Sequence, residues 1–490
     1  MVNVFLRQLT AWSGVLALLA GCASGGGLVP QAKLGDASKL SARAAVASAP
    51  LSPAAWPARD WWKRYGDGQL DALIAEAFAG NPSLRVAHAR VRQAAAFAGL
   101  AEAAQAPQMG AAAGSSRQRY SANSALPPVL AGNWAWSNAA SLNFSYELDF
   151  WGKNQAAFDA AMDRQHASEV EAEASRLMLA VGITQTYLRL SQTYAQLDLA
   201  QAVLRQCEQL LALTGERVRA QIDSAVELKQ AELAIPVARE QIATIRESLA
   251  HIRNQLAALL GAGPDRGATI GRPQLADVRH AAIPASLPSE LIARRPDVVA
   301  QRWRVEALRE DILVAKTQFY PSVNLGALIG LQSLGFDNIF KSASRVPGAS
   351  SVLSLPIFDG GRLRSNLALR DAEYDIAVEQ YNQTLVDAVR DVVDQLTSIE
   401  WMGQHVALQA DALTTAHEAH ALSVQRFRSG LGNYLQVLVT ELQVLSQQRA
   451  QIELDTRAFD LDINLVRALG GGYNSIADAV SPTHAGPLLR

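Results

Sequence analysis

The chain is predicted to be mainly helical with a smaller transmembrane β part, and to be one structural unit used twice. The first observation behind this is motif recurrence. Asn81-Pro82 and Ala106-Pro107 return 214 positions on as Arg295-Pro296 and Tyr320-Pro321. Phe150-Trp151-Gly152 returns after 208 as Phe358-Asp359-Gly360. Arg217-Val218-Arg219 and Leu260-Gly261 return after 209 as Arg426-Phe427-Arg428 and Leu469-Gly470. A fixed offset over so long a distance marks a duplicated unit. The second observation is strict period-two alternation over the seventeen residues Trp134 to Phe150. Even positions are mostly apolar or aromatic, whereas odd positions are small or polar, including Ser141, Asn143, Ser145, Glu147 and Asp149. The third is the absence of proline between Pro128 and Pro236 and between Pro356 and Pro482, in stretches dense with Ala, Leu, Gln, Glu and Arg, which predicts very long helices.

In chain order, the first element is a leader, residues 1–21. Arg7 supplies its positive end and Val15 to Ala20 its apolar run, which is too short to span a bilayer. Leu19-Ala20-Gly21-Cys22 looks like the lipobox of bacterial lipoproteins, which implies that Cys22 is acylated and becomes the mature N-terminus, and Ala23 behind it implies the outer membrane. The lipidated N-terminus and tether occupy 22–66. Residues 23–55, rich in Ala, Ser, Gly and Pro, read as flexible. Only Cys22 and Cys207 occur, so acylation of the first precludes an intrachain disulfide; Cys207 falls in a helical stretch as a packing residue.

The first structural repeat is placed at 67–263 and the second at 288–472, with a linker at 264–287 and a C-terminal tail at 473–490. Each repeat opens with a helical segment, the first from about Asp67 to Ala106 and broken at Asn81-Pro82. A strand hairpin follows. In the first repeat its strands are Met109 to Tyr120 and the alternating segment from Trp134; in the second, Ser322 to Leu331 and about Ala349 to Phe358. The loops Ser121 to Asn133 and Gly335 to Gly348 carry Ser, Asn, Gly and Pro and read as turns. Then come the long helices. The first, from Lys153 to about Leu213, would be roughly 90 Å long at the usual rise per residue, and its apolar spacing is that of a coiled-coil-like seam. Breaks at Thr214 to Asp223 and Ser429 to Gly432 turn each chain back into helices from about Ala225 to Leu260 and Tyr434 to Leu469. Pro236 is expected to kink the first of these.

Four strands of this kind cannot close a membrane barrel, because backbone amides in hydrocarbon must all be paired and outer-membrane barrels need about eight strands or more. The chain must therefore oligomerise. Two copies would give a barrel filled by side chains, whereas a homotrimer is the smallest assembly with an open lumen, a 12-stranded barrel. Ser145, Glu147 and Asp149 would then face that lumen.

The residues resemble the TolC-like outer-membrane efflux proteins, specifically the lipid-anchored NodT/OprM-type branch. The most specific pieces are Ser145 to Lys153, Leu291-Ile292-Ala293-Arg294-Arg295-Pro296-Asp297-Val298, Phe319-Tyr320-Pro321 and Leu355 to Gly361. This likeness implies a trimeric conduit with a barrel in outer-membrane lipid, a periplasmic helical barrel and an equatorial collar. It implies a closed iris at the helical tips, opened by a periplasmic adaptor and an inner-membrane pump of the resistance-nodulation-division type. Arg217, Arg219, Asp223, Arg426, Arg428 and Gly430 at those tips become candidates for docking or gating. The family's aspartates after the second tip are replaced here by Gly430-Leu431-Gly432 and Leu438-Val439-Thr440, so no acidic ring carries over.

Other classes fit less well. A net charge of −2 with 18% charged residues shows no basic footprint for nucleic acid. His417-Glu418-Ala419-His420 lacks the zincin spacing and a third ligand, and no phosphate loop or nucleophile with its base is evident, so no catalytic residue, metal or cofactor is expected. A lipid-anchored coiled-coil spacer would leave the alternating strands without purpose. Type I protein secretion and metal export remain alternative cargo routes to drug efflux. Replacing Cys22 by Ser is expected to abolish fatty-acid incorporation, seen by metabolic labelling, while heat-modifiable trimers persist on gels; soluble monomers alone would mean that no barrel anchors the chain.

Overall fold

The computed structural model describes residues 27–35, 51–52, 56–123, 127–128, 130–276, 283–284 and 294–474. Cys22, the leader, parts of the linker and the end of the tail lie outside these residues. The chain divides into two compact units. One comprises Met1–Leu34, Arg90–Ser168 and Gln301–Tyr381, the other Gly35–Ala89, Glu169–Ala300 and Asn382–Arg490, so far as those ranges are described.

The elements run β1 (Leu51–Ser52), α1 (Gly68–Gly80), α2 (Pro82–Gln105), β2 (Gln108–Arg119), β3 (Trp134–Leu148), α3 (Lys153–Arg219), α4 (Ala225–Leu260) and α5 (Pro264–Ala268). They continue with β4 (Ile283–Pro284), α6 (Pro296–Thr317), β5 (Ser322–Leu334), β6 (Arg345–Ser354), α7 (Arg362–Arg428) and α8 (Tyr434–Ala468). Helices α3 and α7 are each 67 residues long, one per repeat. Helix α4 continues unbroken through Pro236.

In the first unit, β2, β3, β5 and β6 form one antiparallel sheet in that order. Strand β6 begins four residues earlier than expected, at Arg345 rather than Ala349. Pro347 and Gly348, which read as loop, lie inside it and pair with Ile329 and Leu328. Pro347 stands third in the strand and removes a single amide donor, so pairing continues on either side of it. Glycine is required at Gly330, where a Cβ would come within 2.7 Å of the Ala140 carbonyl oxygen on β3. The described part of the tether is fastened to helix α7: the Gln31 and Ala32 amides donate to Asp375 Oδ1 at 3.0 and 2.9 Å, and the Gly35 amide to Asn382 Oδ1 at 2.6 Å. The expectation of a flexible segment from 23 to 55 is corrected at these residues, because three amides find side-chain acceptors.

In the second unit a short 3₁₀ turn, Trp61–Tyr65, and helix α1 bury Trp61, Trp62, Tyr65, Leu70, Leu73 and Ile74 against Tyr187 and Leu190 of α3 and Leu256 of α4. The Tyr187 hydroxyl donates to Asp67 Oδ2 at 2.7 Å, and Asp67 also caps α1 by accepting from the Gln69 amide at 2.9 Å. The recurrent X-Pro motif has a definite job here. Pro82 and Pro296 open α2 and α6, where a missing N–H is harmless. The residue before each proline reaches the end of its own repeat's returning helix: Asn81 Nδ2 donates to the Leu259 carbonyl at 2.7 Å, and Arg295 Nη1 to the Ala468 carbonyl at 3.4 Å. Leu259 and Ala468 are themselves 209 apart.

The Leu-Gly repeats end those returning helices with the same chain reversal. Amides of Gly261 and Ala262 donate to the carbonyls of Ala258 and Ala257, and amides of Gly470 and Gly471 to those of Arg467 and Val466. This is the Schellman arrangement, which needs a left-handed residue; Gly261 has φ 75° and Gly470 φ 87°. A Cβ on Gly470 would also collide with the Arg294 carbonyl oxygen, whereas Gly430, at φ 74°, has open space around it. Gly470→Ala is expected to lower stability by about 3 kcal/mol, and Gly430→Ala by about 1 kcal/mol from backbone strain alone. Equal losses in denaturant unfolding would contradict this account.

Candidate functional site

Two surfaces hold the residues singled out in the sequence: the sheet, in the first unit, and the helix tips, in the second. Among the described residues no helix is long and apolar enough to cross a membrane.

Paired residues in an antiparallel sheet share a face, so the register assigns every side chain. Phe144 stands opposite Met109 and Ala327, Leu142 opposite Ala111 and Ile329, and Tyr146 opposite Leu325. These build one continuous apolar face. Ser145 stands opposite Gln108 and Gly326, Asn143 opposite Gly110, and Ser141 opposite Ala112 and Gly330. The other face is mostly small and polar, with Leu328, Leu334, Val346 and Val352 as exceptions. Leu142 and Ile329 are adjacent and 49% and 64% exposed. A contiguous apolar face left in solvent marks an interaction surface for lipid or protein. Asn138 intrudes on that face and is buried, accepting a 2.6 Å hydrogen bond from the Ser115 hydroxyl.

Aromatic side chains collect at both ends of the strands. At one end Trp136 packs on Phe336 with centroids 5.3 Å apart, and the Arg117 guanidinium lies 5.8 Å from the Trp134 ring. At the other, Trp151 stacks on Tyr320 at 4.8 Å and its indole N–H donates to the Pro321 carbonyl at 2.7 Å. Of the three residues expected to face a lumen, Ser145 is exposed on the small polar face. Glu147 shares that face and pairs with Lys153 Nζ at 2.7 Å. Asp149 lies just past the strand, which ends at Leu148, and accepts from the Gln155 amide at 2.9 Å. It therefore caps the first turn of α3, an arrangement favoured by the helix dipole.

At the tips, α3 runs six residues beyond the expected Leu213 to Arg219. Thr214, read as the start of a break, is helical and fully buried. Both tips reverse through the Schellman arrangement. In the first, amides of Gln221 and Ile222 donate to carbonyls of Val218 and Arg217; in the second, amides of Gly430 and Leu431 donate to those of Phe427 and Arg426. The left-handed position is Gly430 in one tip and Gln221, at φ 60°, in the other. The returning helices are capped at equivalent positions, by Ser224 in a capping box with Glu227 and by Asn433.

Arg217 is not a free surface charge. Its Nε and Nη2 donate to Asp223 Oδ2 and Oδ1 at 2.8 and 3.1 Å, its Nη1 donates to the Phe427 carbonyl at 3.2 Å, and its guanidinium lies 4.1 Å from the Phe427 ring centroid. Hydrogen bonding to Asp223 holds its pKa above the ordinary value. Arg217 and Asp223 thus tie the first tip to the second. Phe427 is itself buried in a cluster with Ala231, Tyr434 and Val437 that joins helices from both hairpins. The duplication is broken at this point: the position equivalent to Asp223 is Gly432, where an added Cβ would lie 3.4 Å from Arg426 Cβ. Arg219, Arg426, Arg428 and Gly430 remain exposed. His420 is engaged by Gln206 at 3.2 Å and Thr440 at 3.4 Å. Sequence reasoning missed the clamp because its partner lies some 210 residues away; the signal available was that Arg217 and Asp223 are six apart around a turn.

Comparison with known proteins gives consistent matches. The chain matches the family described as Outer membrane efflux protein twice, over residues 73–262 and 287–471. It is 40% identical over 376 residues to the fusaric acid resistance protein FusA of Burkholderia cepacia, covering 74% of this chain and 71% of that one. It is 32% identical over 437 residues to the multidrug resistance outer membrane protein MdtP of Escherichia coli K12, covering 87% and 88%. The crystal structure of the outer membrane protein VceC from Vibrio cholerae superposes with a TM-score of 0.80 at 37% identity, covering 86% of this chain and all of that one.

A double-mutant cycle on Arg217→Ala and Asp223→Ala, read by hydrogen exchange at the tip amides, is expected to return a coupling of about 1–3 kcal/mol. Purely additive effects would mean that the two side chains do not act as one clamp.

Proposed function

The chain belongs to the outer membrane efflux protein family, and from that premise we propose that it is the outer-membrane conduit of a tripartite efflux system. It passively exports small toxic organic molecules. The observation that carries the reading is the four-stranded sheet, with one exposed apolar face, one small polar face and two edge strands, β2 and β6, unpaired among the described residues. Unpaired backbone groups in hydrocarbon cost several kcal/mol each. A homotrimer removes them by joining β2 of one copy to β6 of the next, which turns the apolar face to lipid and the Ser145 face to a water-filled lumen. Cys22 carries the lipid anchor.

The names of the relatives support a small-molecule cargo, since one is named for fusaric acid resistance and another for multidrug resistance. Energy comes from an inner-membrane pump, for which a resistance-nodulation-division transporter is our choice, and a periplasmic adaptor opens the tips. Arg219, Arg426, Arg428 and Gly430 are the docking or gating residues in this reading. Arg217 and Asp223 hold the two hairpins of one copy together. The export conduit has no chemical step, so catalysis is not assigned to any residue.

Purified protein is expected to conduct ions in planar bilayers as a heat-modifiable trimer. In a background lacking native thiols, a water-soluble methanethiosulfonate reagent is expected to reduce current through Ser145→Cys and to leave Phe144→Cys unaffected. Block at Phe144→Cys with none at Ser145→Cys would invert the face assignment, and a water-soluble, non-conducting single chain would overturn the function.

A further inference from the structure

The second unit buries a carboxyl group that nothing in the export reading uses. Glu441 on α8 is 4% exposed, and both of its carboxylate oxygens are sealed from solvent without a hydrogen-bond partner. Because this burial is complete within one chain, no neighbouring copy reaches those oxygens. An isolated carboxylate in such a place is strongly disfavoured unless it is paired or takes up a proton.

Among the described residues no cation acts on it, and burial alone shifts its titration. From α3 it faces the Cys207 thiol, itself buried and pushed up to about 11 by burial first and by Glu441 second. Glu208 is the other titratable group there that acts on this cluster. From its own helix it faces Tyr434, buried with an unpartnered hydroxyl and raised by burial and then by Glu441. From α7, His420 is kept low by burial and then by His417, and both its ring and the Ser423 hydroxyl hydrogen-bond Thr440, the residue before Glu441. Helix α4 contributes only uncharged side chains to the adjoining groove, among them Gln230, Leu233 and Val237. That groove, of about 640 Å³, is lined by α3, α4 and α8 and has Glu441 on its wall, with Arg449 and Glu453 further along.

We propose that Glu441 is a proton-operated latch on the seam between α3 and α8: as a neutral acid it lets the seam close, and on losing its proton it withdraws into the groove and loosens the packing beside the tips. Burial pushes its pKa up to about 7 from 4.5. Between those values the packed state holds a proton that the loosened state has released, so rising pH withdraws stability from the packed state across that window, and the full loss is present above about 7. Over that window the packed-to-loosened ratio falls on the order of a hundredfold. The latch goes beyond the export reading and does not depend on it, since it is a property of one chain's helices.

The one buried thiol beside the carboxyl supplies the probe. In full-length protein carrying Cys22→Ser, Cys207 is the sole cysteine, and its maleimide labelling rate, normalised to a small reference thiol, reports opening of the seam. At pH 8.5 the protein with Glu441 is expected to label at least about tenfold faster than its Glu441→Gln variant; at pH 5.5 the two should agree within about twofold. Glu441→Leu should likewise flatten the pH dependence. Equal rates at both pH values, or faster labelling of Glu441→Gln at pH 5.5, would overturn the latch. Infrared difference spectra between the two proteins provide a measurement independent of labelling: a protonated-carboxyl band that titrates near neutrality supports the proposal, and its absence at pH 6 contradicts it.

Discussion

Backbone hydrogen bonding at the sheet edges is the constraint on which the account turns. Strands β2 and β6 end the four-stranded ladder, and the middle of one face, around Leu142, Phe144 and Ile329, is apolar with Leu142 and Ile329 exposed. In water such a surface would aggregate, and in lipid its edges would carry unpaired amides and carbonyls. Both problems have one solution, which is closure of the sheet through further copies of itself. Trp134 and Trp136 at one end and Trp151 and Tyr320 at the other suit the two water–hydrocarbon boundaries of such a wall. In the proposed conduit, conduction, lumen polarity and lipid contact follow from that closure.

The duplicated motifs are joints rather than chemistry. Asn81 and Arg295 clasp equivalent carbonyls, Gly261 and Gly470 end equivalent helices, and Gln221 and Gly430 turn equivalent tips. Repetition of the same joint explains why a proline or a glycine recurs at a nearly fixed offset while the intervening helical sequence has drifted. Where the repeats differ, the difference has a purpose. Asp223 pairs with Arg217, and its counterpart Gly432 leaves Arg426 outside any ion pair among the described residues. One repeat's tip is therefore clamped onto the other's Phe427, and the second keeps its arginines at the surface.

Much of this was legible in the sequence because periodicity is a local signal. The alternation from Trp134 fixed which side chains share a face, and the proline-free intervals gave α3 and α7 within a few residues at most ends. Boundaries failed where one residue's chemistry was taken for its context. Thr214 and Gly215 read as a break, although Thr214 is buried in continuous helix, and Pro347-Gly348 read as loop because turn chemistry is local while their pairing with Ile329 and Leu328 is supplied by the neighbouring strand. The clamp at Arg217 and the carboxyl of Glu441 were not legible. The first depends on Phe427 in the other repeat, and the second sits in a run of Glu, Leu and Gln that looks like an ordinary solvated helix face.

Closure of the sheet by neighbouring copies can be read covalently. Cysteine pairs introduced along Gln108–Arg119 and Arg345–Ser354, one residue on each edge strand in a background without native thiols, would be oxidised and separated under denaturing conditions. The account predicts that pairs in register yield covalent trimers and nothing larger, with bridges running from one copy's β2 to the next copy's β6. Cross-links confined within single chains, or open ladders of increasing size, would contradict it.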